Sequence, residues 1–553
     1  MNPTRHILDL FNEQLIQFDH ITHAWFTSFT LEPSFVERYI LPPLFGLGTP
    51  KDYRDYAQLQ SEITQSDAAD VRFFVDSTVN ADVWNQRSIS FPVHPVFMSE
   101  LEGFSDAGVF HPKVILIAGT IGGSPAAIIG AGSANLTVSG WGRNIEVFTF
   151  RRVEIEQQWQ QVEDFWKAIG AAEFENIMAP VFRDRANQKE NRQWYFHHSF
   201  SQDTFLEHFA GSSILHIVSP YFPKDPGTLL NRIHATMNEM NSSGRCSLII
   251  HPALRNGKAL IDRTQAQTIP DSDISFLINS DPGEATFRHA KLWVTENRCA
   301  VGSWNCTEAA IGALRSSAPP VYQRNVEAGF VFDTDIRNSL SDYSTKTSWD
   351  DLLSDDHQPD IEEELGGASE VFPVRVEFDW RNHGYKYSAV IPNGIPYELS
   401  LPGISKRIEL SSEGSLEIER KTALIHDKTY IVYSDGTMLF TGPVIELNAH
   451  LAPLYEYNNL ESLLYDYNRR TKGSRSTDID QSILKPILYS SDTDQDSTVQ
   501  SQNRYWKTRI SPCTRPSNTI ENHTSRLAVR VSMISIYLCI SFPGDLKNLP
   551  QRL

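Results

Sequence analysis

The amino-acid sequence predicts an α/β protein made of two similar halves, each a mixed sheet flanked by helices, with a smaller all-β module after them. Three observations carry this. A compound pattern, H-x-K then G-S-x-N then N-x-E, occurs twice in the same order. Strand-like runs and helical spacings alternate within both copies. From about residue 371 the pattern changes to short strand-like runs broken by Gly, Pro, Asn and Asp. The predicted divisions are a first half over 1–180, a second half over 181–346, an acidic linker over 347–370, an all-β accessory module over 371–450, a helix over 451–472 and a largely disordered tail over 473–553.

Each element is justified in turn. ITHAWFTSF (Ile21–Phe29) and ILHIVSPYF (Ile214–Phe222) open the halves as strands, and helical stretches follow at Pro33–Leu44 and Pro226–Met237. A further β-rich run comes next in each half, at Val71–Val75 and Ser247–His251. HPKVILIA from His111 and HAKLWVT from His289 then start apolar strands. The glycine-containing segments GAGSANLT (Gly130–Thr137) and VGSWNCT (Val301–Thr307) read as turns, and NIEVFTF from Asn144 and NVEAGFVF from Asn325 as closing strands. Glu154–Ala172, with Trp159, Phe165 and Trp166, reads as a packing helix joining the halves. VRVEF, YSAVI, TYIVYS and TMLFTG make the accessory module a sandwich or small barrel.

A chain of 553 residues with 40% hydrophobic content can bury sizeable cores. Its net charge of −19 argues against a general basic coating for nucleic acid or anionic membrane, while leaving room for a local basic groove. Five scattered cysteines without a metal-type C-x-x-C pair suit a reducing interior, and the N-terminal stretch lacks the layout of a secretory signal. The expected location is therefore cytoplasmic, with no stable membrane association. Val531–Phe542 is the one apolar run near the end, too short for a span of roughly 20 residues, and reads as a strand or part of the tail.

The paired motifs fit one chemistry. Cleaving a phosphodiester without a metal needs a nucleophile, an acid for the leaving oxygen, and fixed positive charge on the phosphoryl oxygens. Histidine serves the first two and lysine the third. In extended chain, H-x-K places both side chains on one face, giving His111 with Lys113 and His289 with Lys291. Ser133, Asn135, Ser303 and Asn305 are candidate donors to the phosphate. Glu146 and Glu327 are candidates to orient the imidazoles. Trp304 is a candidate to stack on a base, and Arg143, Arg288 and Arg324 to add local charge. Tyr221, Phe222 and Tyr322 read as core aromatics. A lone H-x-K is common by chance and a lone strand Glu often pairs with a surface cation; it is the ordered duplication that makes the set specific. Neither a cofactor nor a metal is expected.

This doubled motif resembles the phospholipase D superfamily over roughly residues 15–335. The resemblance implies a duplicated α/β sandwich around one active site, with one His phosphorylated and the other protonating the leaving group. By analogy His111 is the nucleophile and His289 the acid, although the residues alone leave that choice open. Lipid-cleaving members usually carry an Asp seven residues after the motif His, where this chain has Ala118 and Glu296. That departure, with NCTEAAIGAL and GSANLT, is similar to tyrosyl-DNA phosphodiesterases and bacterial nuclease-like members. It implies nucleic acid as substrate, DNA in preference to RNA. The alternatives are a phospholipase or transphosphatidylase, or a triggered component of a larger, bacterial-defence type of assembly with a protein partner on the 371–450 module.

Overall fold

The computed structural model describes residues 6–64, 68–78, 89–105, 108–171, 194–242, 244–255, 257–279, 288–312, 325–333, 344–355, 372–391, 396–417, 428–448 and 537–539. All of these lie in one unit formed by residues 1–464 and 536–553, distinct from residues 465–535. The expected helix at 451–472, nearly all of the tail, Tyr322 and Arg324 fall outside the described residues.

The first half supplies β1 (His20–Ser28), β2 (Asp70–Asp76), β3 (Val93–Val96), β4 (Val114–Ile121), β5 (Ser124–Gly132) and β6 (Glu146–Arg152). The second supplies β7 (Trp194–His198), β8 (Ile214–Ser219), β9 (Ser247–Pro252), the short hairpin β10 (Leu254–Arg255) and β11 (Lys258–Ala259), β12 (Ile274–Asn279), β13 (Leu292–Val294), β14 (Cys299–Gly302), β15 (Ala328–Phe332) and β16 (Ser344–Thr347). One mixed sheet runs β6-β5-β4-β1-β2-β3 and the other β7-β15-β14-β13-β8-β9-β12-β16. The order β6 to β3 corresponds strand for strand to β15 to β12, and the second sheet adds β7 and β16 at its edges. β1 and β8 pair in parallel with β2 and β9, and antiparallel with β4 and β13.

Alternation along the strands buries both faces of each sheet. Ile115 and Ile117 of β4 join Phe11, Val36 and Leu41 in a core between the first sheet and its helices. Leu116 and Ala118 turn the other way and are also buried. Across the molecule, β5 and β6 meet β14 and β15. Ile217, Leu248 and Trp293 form the second helix-side core with Leu229, Leu230 and Ile233 of the helix Pro226–Met240. The helix Glu156–Ala168 touches both halves: Trp166 packs on Trp25 and Phe74, and Phe165 on Phe196.

Three expectations need correction. GAGSANLT and VGSWNCT are not wholly turns, because β5 continues to Gly132 and β14 to Gly302. Residues 347–355 are not linker: β16 pairs with β12, and Leu352 and Leu353 enter the second core. Their acidic neighbours hid three apolar anchors, Trp349, Leu352 and Leu353. Of the two readings of Val531–Phe542, the strand is found, at Tyr537–Cys539 antiparallel to β6. Finally, the glycines ahead of the two serines are not turn glycines. They allow close strand approach, since a Cβ on Gly132 would lie 2.1 Å from the Val147 carbonyl oxygen and one on Gly302 2.3 Å from the Trp304 ring.

The accessory module holds two four-stranded sheets. One orders Glu413–Glu417, Gly384–Ala389, Val374–Asp379 and Ile445–Leu447; the other orders Ile408–Glu409, Tyr397–Ser400, Thr429–Ser434 and Thr437–Pro443. Val376, Phe378, Tyr385, Leu399, Tyr430 and Val432 share one core between them. The module is fixed to the first half through a buried polar joint. Lys428 Nζ is 3.3 Å from Glu446 and donates to Ser90 Oγ at 3.1 Å, and Ser90 Oγ donates in turn to Glu446. Trp380 Nε1 also donates to Glu446, at 3.2 Å.

Candidate active site

The sheet order explains why the motif residues converge. In each half the H-x-K segment, the serine–asparagine loop and the N-x-E strand are successive neighbours: β4, β5 and β6, then β13, β14 and β15. Gly132 N donates to Lys113 O at 3.3 Å, and Ser133 N to Val147 O at 2.8 Å. All three segments thus end at the same edge of their sheet.

There the halves exchange backbone hydrogen bonds. Phe110 bridges Val326 and Arg288 bridges Ile145, each pair running in parallel. His111 N donates to Val326 O at 3.0 Å, and His289 N to Ile145 O at 2.9 Å. This crossing brings each histidine to the other half's glutamate. His111 Nδ1 lies 2.8 Å from Glu327 Oε2, and His289 Nδ1 lies 2.8 Å from Glu146 Oε1. Against a carboxylate Nδ1 carries the proton, so the pairing leaves Nε2 of each ring with the lone pair. Both carboxylates are fully buried, and the rings are 2% and 5% exposed. Burial pushes the Glu146 carboxyl up, but His289, Lys291 and the Ser133 hydroxyl outweigh it and hold the group below the ordinary range.

The lysines sit beside their own histidines. Lys113 Nζ donates to His111 O at 2.8 Å, and Lys291 Nζ lies 2.8 Å from His289 Nε2. The eight residues His111, Lys113, Asn135, Glu146, His289, Lys291, Asn305 and Glu327 are all buried, at 9% exposure or less. Ser28 Oγ lies 3.3 Å from Asn135 Oδ1. Asn305 Oδ1 is buried with no hydrogen-bond partner among the described residues.

Three sequence-derived site residues do other work. Ser133 Oγ donates to Glu146 and accepts from Val147 N, while Ser303 Oγ accepts from Ala328 N. Both hydroxyls are fully buried and committed to the neighbouring strand, so they brace the carboxylate strands rather than line a phosphate cradle. Trp304 is 2% exposed and stacks on Phe205 at 4.4 Å, inside the second core, so it presents no face to a base. Its place within the motif loop suggested a ligand contact, but the indole turns back under the sheet.

Other residues were overlooked. Phe29 lies 5.5 Å from the His111 ring and Tyr221 5.7 Å from the His289 ring, each also within 5.8 Å of its lysine ammonium. Tyr221, read as core, is buried as expected and also walls the second histidine. Ser28 and Ser219 repeat as well. Ser28 Oγ donates to Thr30 O and accepts from Leu136 N; Ser219 Oγ donates to Tyr221 O and accepts from Cys306 N. The matched runs FTSF and IVSPYF carried that signal. Arg143 is exposed and Arg288 half-buried. Ala118 is buried within β4, and Glu296 accepts from Ser213 N and Oγ. Among the described residues no group of three His, Cys, Asp or Glu is placed to hold a metal ion, and no helix is long and apolar enough to cross a membrane.

No family model matches the chain, and no curated protein matches it. Among solved structures, the crystal structure of a polyphosphate kinase from Porphyromonas gingivalis is similar at 11% identity, over 60% of this chain and 46% of that one, with a TM-score of 0.31. This chain thus matches less than half the length of that protein.

Proposed function

We propose that the protein is a metal-independent phosphodiesterase of the phospholipase D type, acting on nucleic acid through a phosphohistidine intermediate. The observation that carries this reading is the crossed pair of His–Glu contacts, each beside a lysine, at the junction of two matching halves. One imidazole Nε2 attacks phosphorus while the bond to the leaving oxygen breaks, and the other imidazole, entering as its protonated form, delivers a proton to that oxygen. Water then attacks the phosphohistidine, gives its proton to the second ring, and releases the first. Lys113 and Lys291 balance the charge on the non-bridging oxygens.

The absence of the Asp that lipid-cleaving relatives carry, at Ala118 and Glu296, supports nucleic acid over phospholipid. DNA is the expected substrate class, as a nuclease or an end-processing enzyme. The test is a panel of 5′-labelled single- and double-stranded DNA and RNA, with and without 3′ adducts, in EDTA. Cleavage is expected to survive chelation and to vanish in His111→Ala and His289→Ala. Turnover that persists in the double variant would sink the mechanism, and turnover of phosphatidylcholine alone would replace nucleic acid with lipid.

A further inference from the structure

The two halves of the site are not equivalent. The register pairs Ser28 with Val75 in the first sheet and Ser219 with Pro252 in the second, so the next residues, Asp76 and Ala253, correspond. Asp76 is 1% exposed, and its carboxyl receives three donors: Phe110 N at 2.5 Å, Thr78 N at 2.8 Å and the Thr78 hydroxyl. A group met only by donors is placed as a carboxylate. Phe110 directly precedes His111 and carries the bridge to Val326, so Asp76 anchors the crossing on the His111 side. On the other side the matching bridge residue is Arg288 and no carboxylate faces it from Ala253.

We propose that Asp76 is a positioning residue for His111: its carboxylate fixes the backbone ahead of the ring and stabilises the cationic imidazole formed when Nε2 takes the phosphoryl group and Nδ1 keeps its proton. This rests on the phosphodiesterase reading. Glu327 and Asp76 together place two carboxylates near His111. The second carboxylate favours His111 as the ring that carries the phosphoryl group, which leaves His289 to protonate the leaving oxygen. The groups facing Asp76 are Thr78, Phe110, the paired Val96 of β3 and, through space, His111. Burial pushes the Asp76 acid up from 3.8 despite these donors and the His111 charge. Any rate that needs its carboxylate is therefore lost, as pH falls, earlier than an ordinary aspartate would dictate.

The experiment uses the full chain and a 5′-labelled DNA oligonucleotide in single turnover, quenched in alkali because the N–P bond is acid-labile. The covalent adduct is mapped by peptide mass spectrometry. In the wild type it is expected on His111. In Asp76→Asn it should form about tenfold more slowly, the rate effect of one pK unit of lost charge stabilisation, with the acid limb of the rate profile removed. Thr78→Val, which keeps the carboxylate but removes one donor, should move that limb to higher pH. Adduct on His289, a wild-type rate in Asp76→Asn, or a slower rate with an unchanged pH profile would each overturn the proposal. No adduct in the wild type, with turnover indifferent to His111→Ala, would instead defeat the phosphodiesterase reading itself.

Discussion

His111 and Glu327 lie 216 positions apart in the chain, yet a single 2.8 Å contact decides which ring nitrogen is free to react. Replacing either carboxylate by its amide keeps the shape and removes the charge that holds Nδ1–H in place. Glu327→Gln and Glu146→Gln are each expected to lower kcat by about 10²–10⁴-fold, the range for losing a positioned acid or base, with little change in KM. A loss confined to KM would assign the glutamates to substrate binding. Glu146 stays ionised to lower pH than an ordinary glutamate, so it contributes no acid limb of its own near neutrality. Trp304 gives the opposite expectation. With its ring packed on Phe205 and His197, Trp304→Ala should cost about 3–5 kcal/mol of stability, and Trp304→Phe should leave the KM for oligonucleotides unchanged. A raised KM in a well-folded Trp304→Phe would restore the indole as a substrate contact. Residue type and order picked out His, Lys, Asn and Glu as candidates because their chemistry is position-specific, and the structure brings the His, Lys and Glu side chains together. They did not reveal the true place of Trp304 or the roles of Ser133 and Ser303, because a motif neighbour can turn to either side of its strand. Nor did they reveal Asp76, which lacks a counterpart in the second copy.

The repeat was legible among the elements because strand periodicity and helical spacing recur in the same order. The crossing was not, because each glutamate lies far nearer in sequence to the histidine of its own half, and only the backbone bridges at Phe110 and Arg288 bring it to the other one. Those bridges depend on how tightly the central strands approach. Gly132 lets β5 lie against β6, and a methyl there would collide with the Val147 carbonyl, whose oxygen also receives Ser133 N. Gly132→Ala is therefore expected to shift the Ser133–Asn135 loop and loosen the brace on Glu146. Stability and kcat should fall together, whereas Gly122→Ala, in the open β4–β5 turn at φ +60°, should cost stability alone. Equal kcat in the two variants would show that the loop does not depend on this approach.

The whole molecule is acidic, with a net charge of −19, yet it buries several histidines outside the site, and these set its response to pH. His251 is held at about 3 by burial first, then by His216 and Arg288, and His198 at about 4 by burial. His251 Nδ1 has no hydrogen-bond partner among the described residues, and His251 Nε2 shares one proton with His216 Nδ1 across 3.1 Å. One of the two facing nitrogens must be bare to accept, so the contact is lost once both rings are protonated. Because the folded pKa values lie below the unfolded value near 6.5, stability is complete above that pH and declines as pH falls towards 4 and then 3. Each such histidine contributes a slope of about 1.4 kcal/mol per pH unit in that window. Phe74 occupies the place in the first sheet that His251 holds in the second, paired with Thr27 as His251 is with Val218. His251→Phe is thus a substitution the fold already uses, and it removes one of the titrating groups. Urea unfolding at pH 7.5 and pH 5 should show a steep loss of stability in the wild type and a shallower one in His251→Phe, even if that variant starts lower through the partner lost by His216. Equal losses in the two proteins would mean that His251 accepts its proton in the folded state, and the acid sensitivity would then belong to His197 and His198.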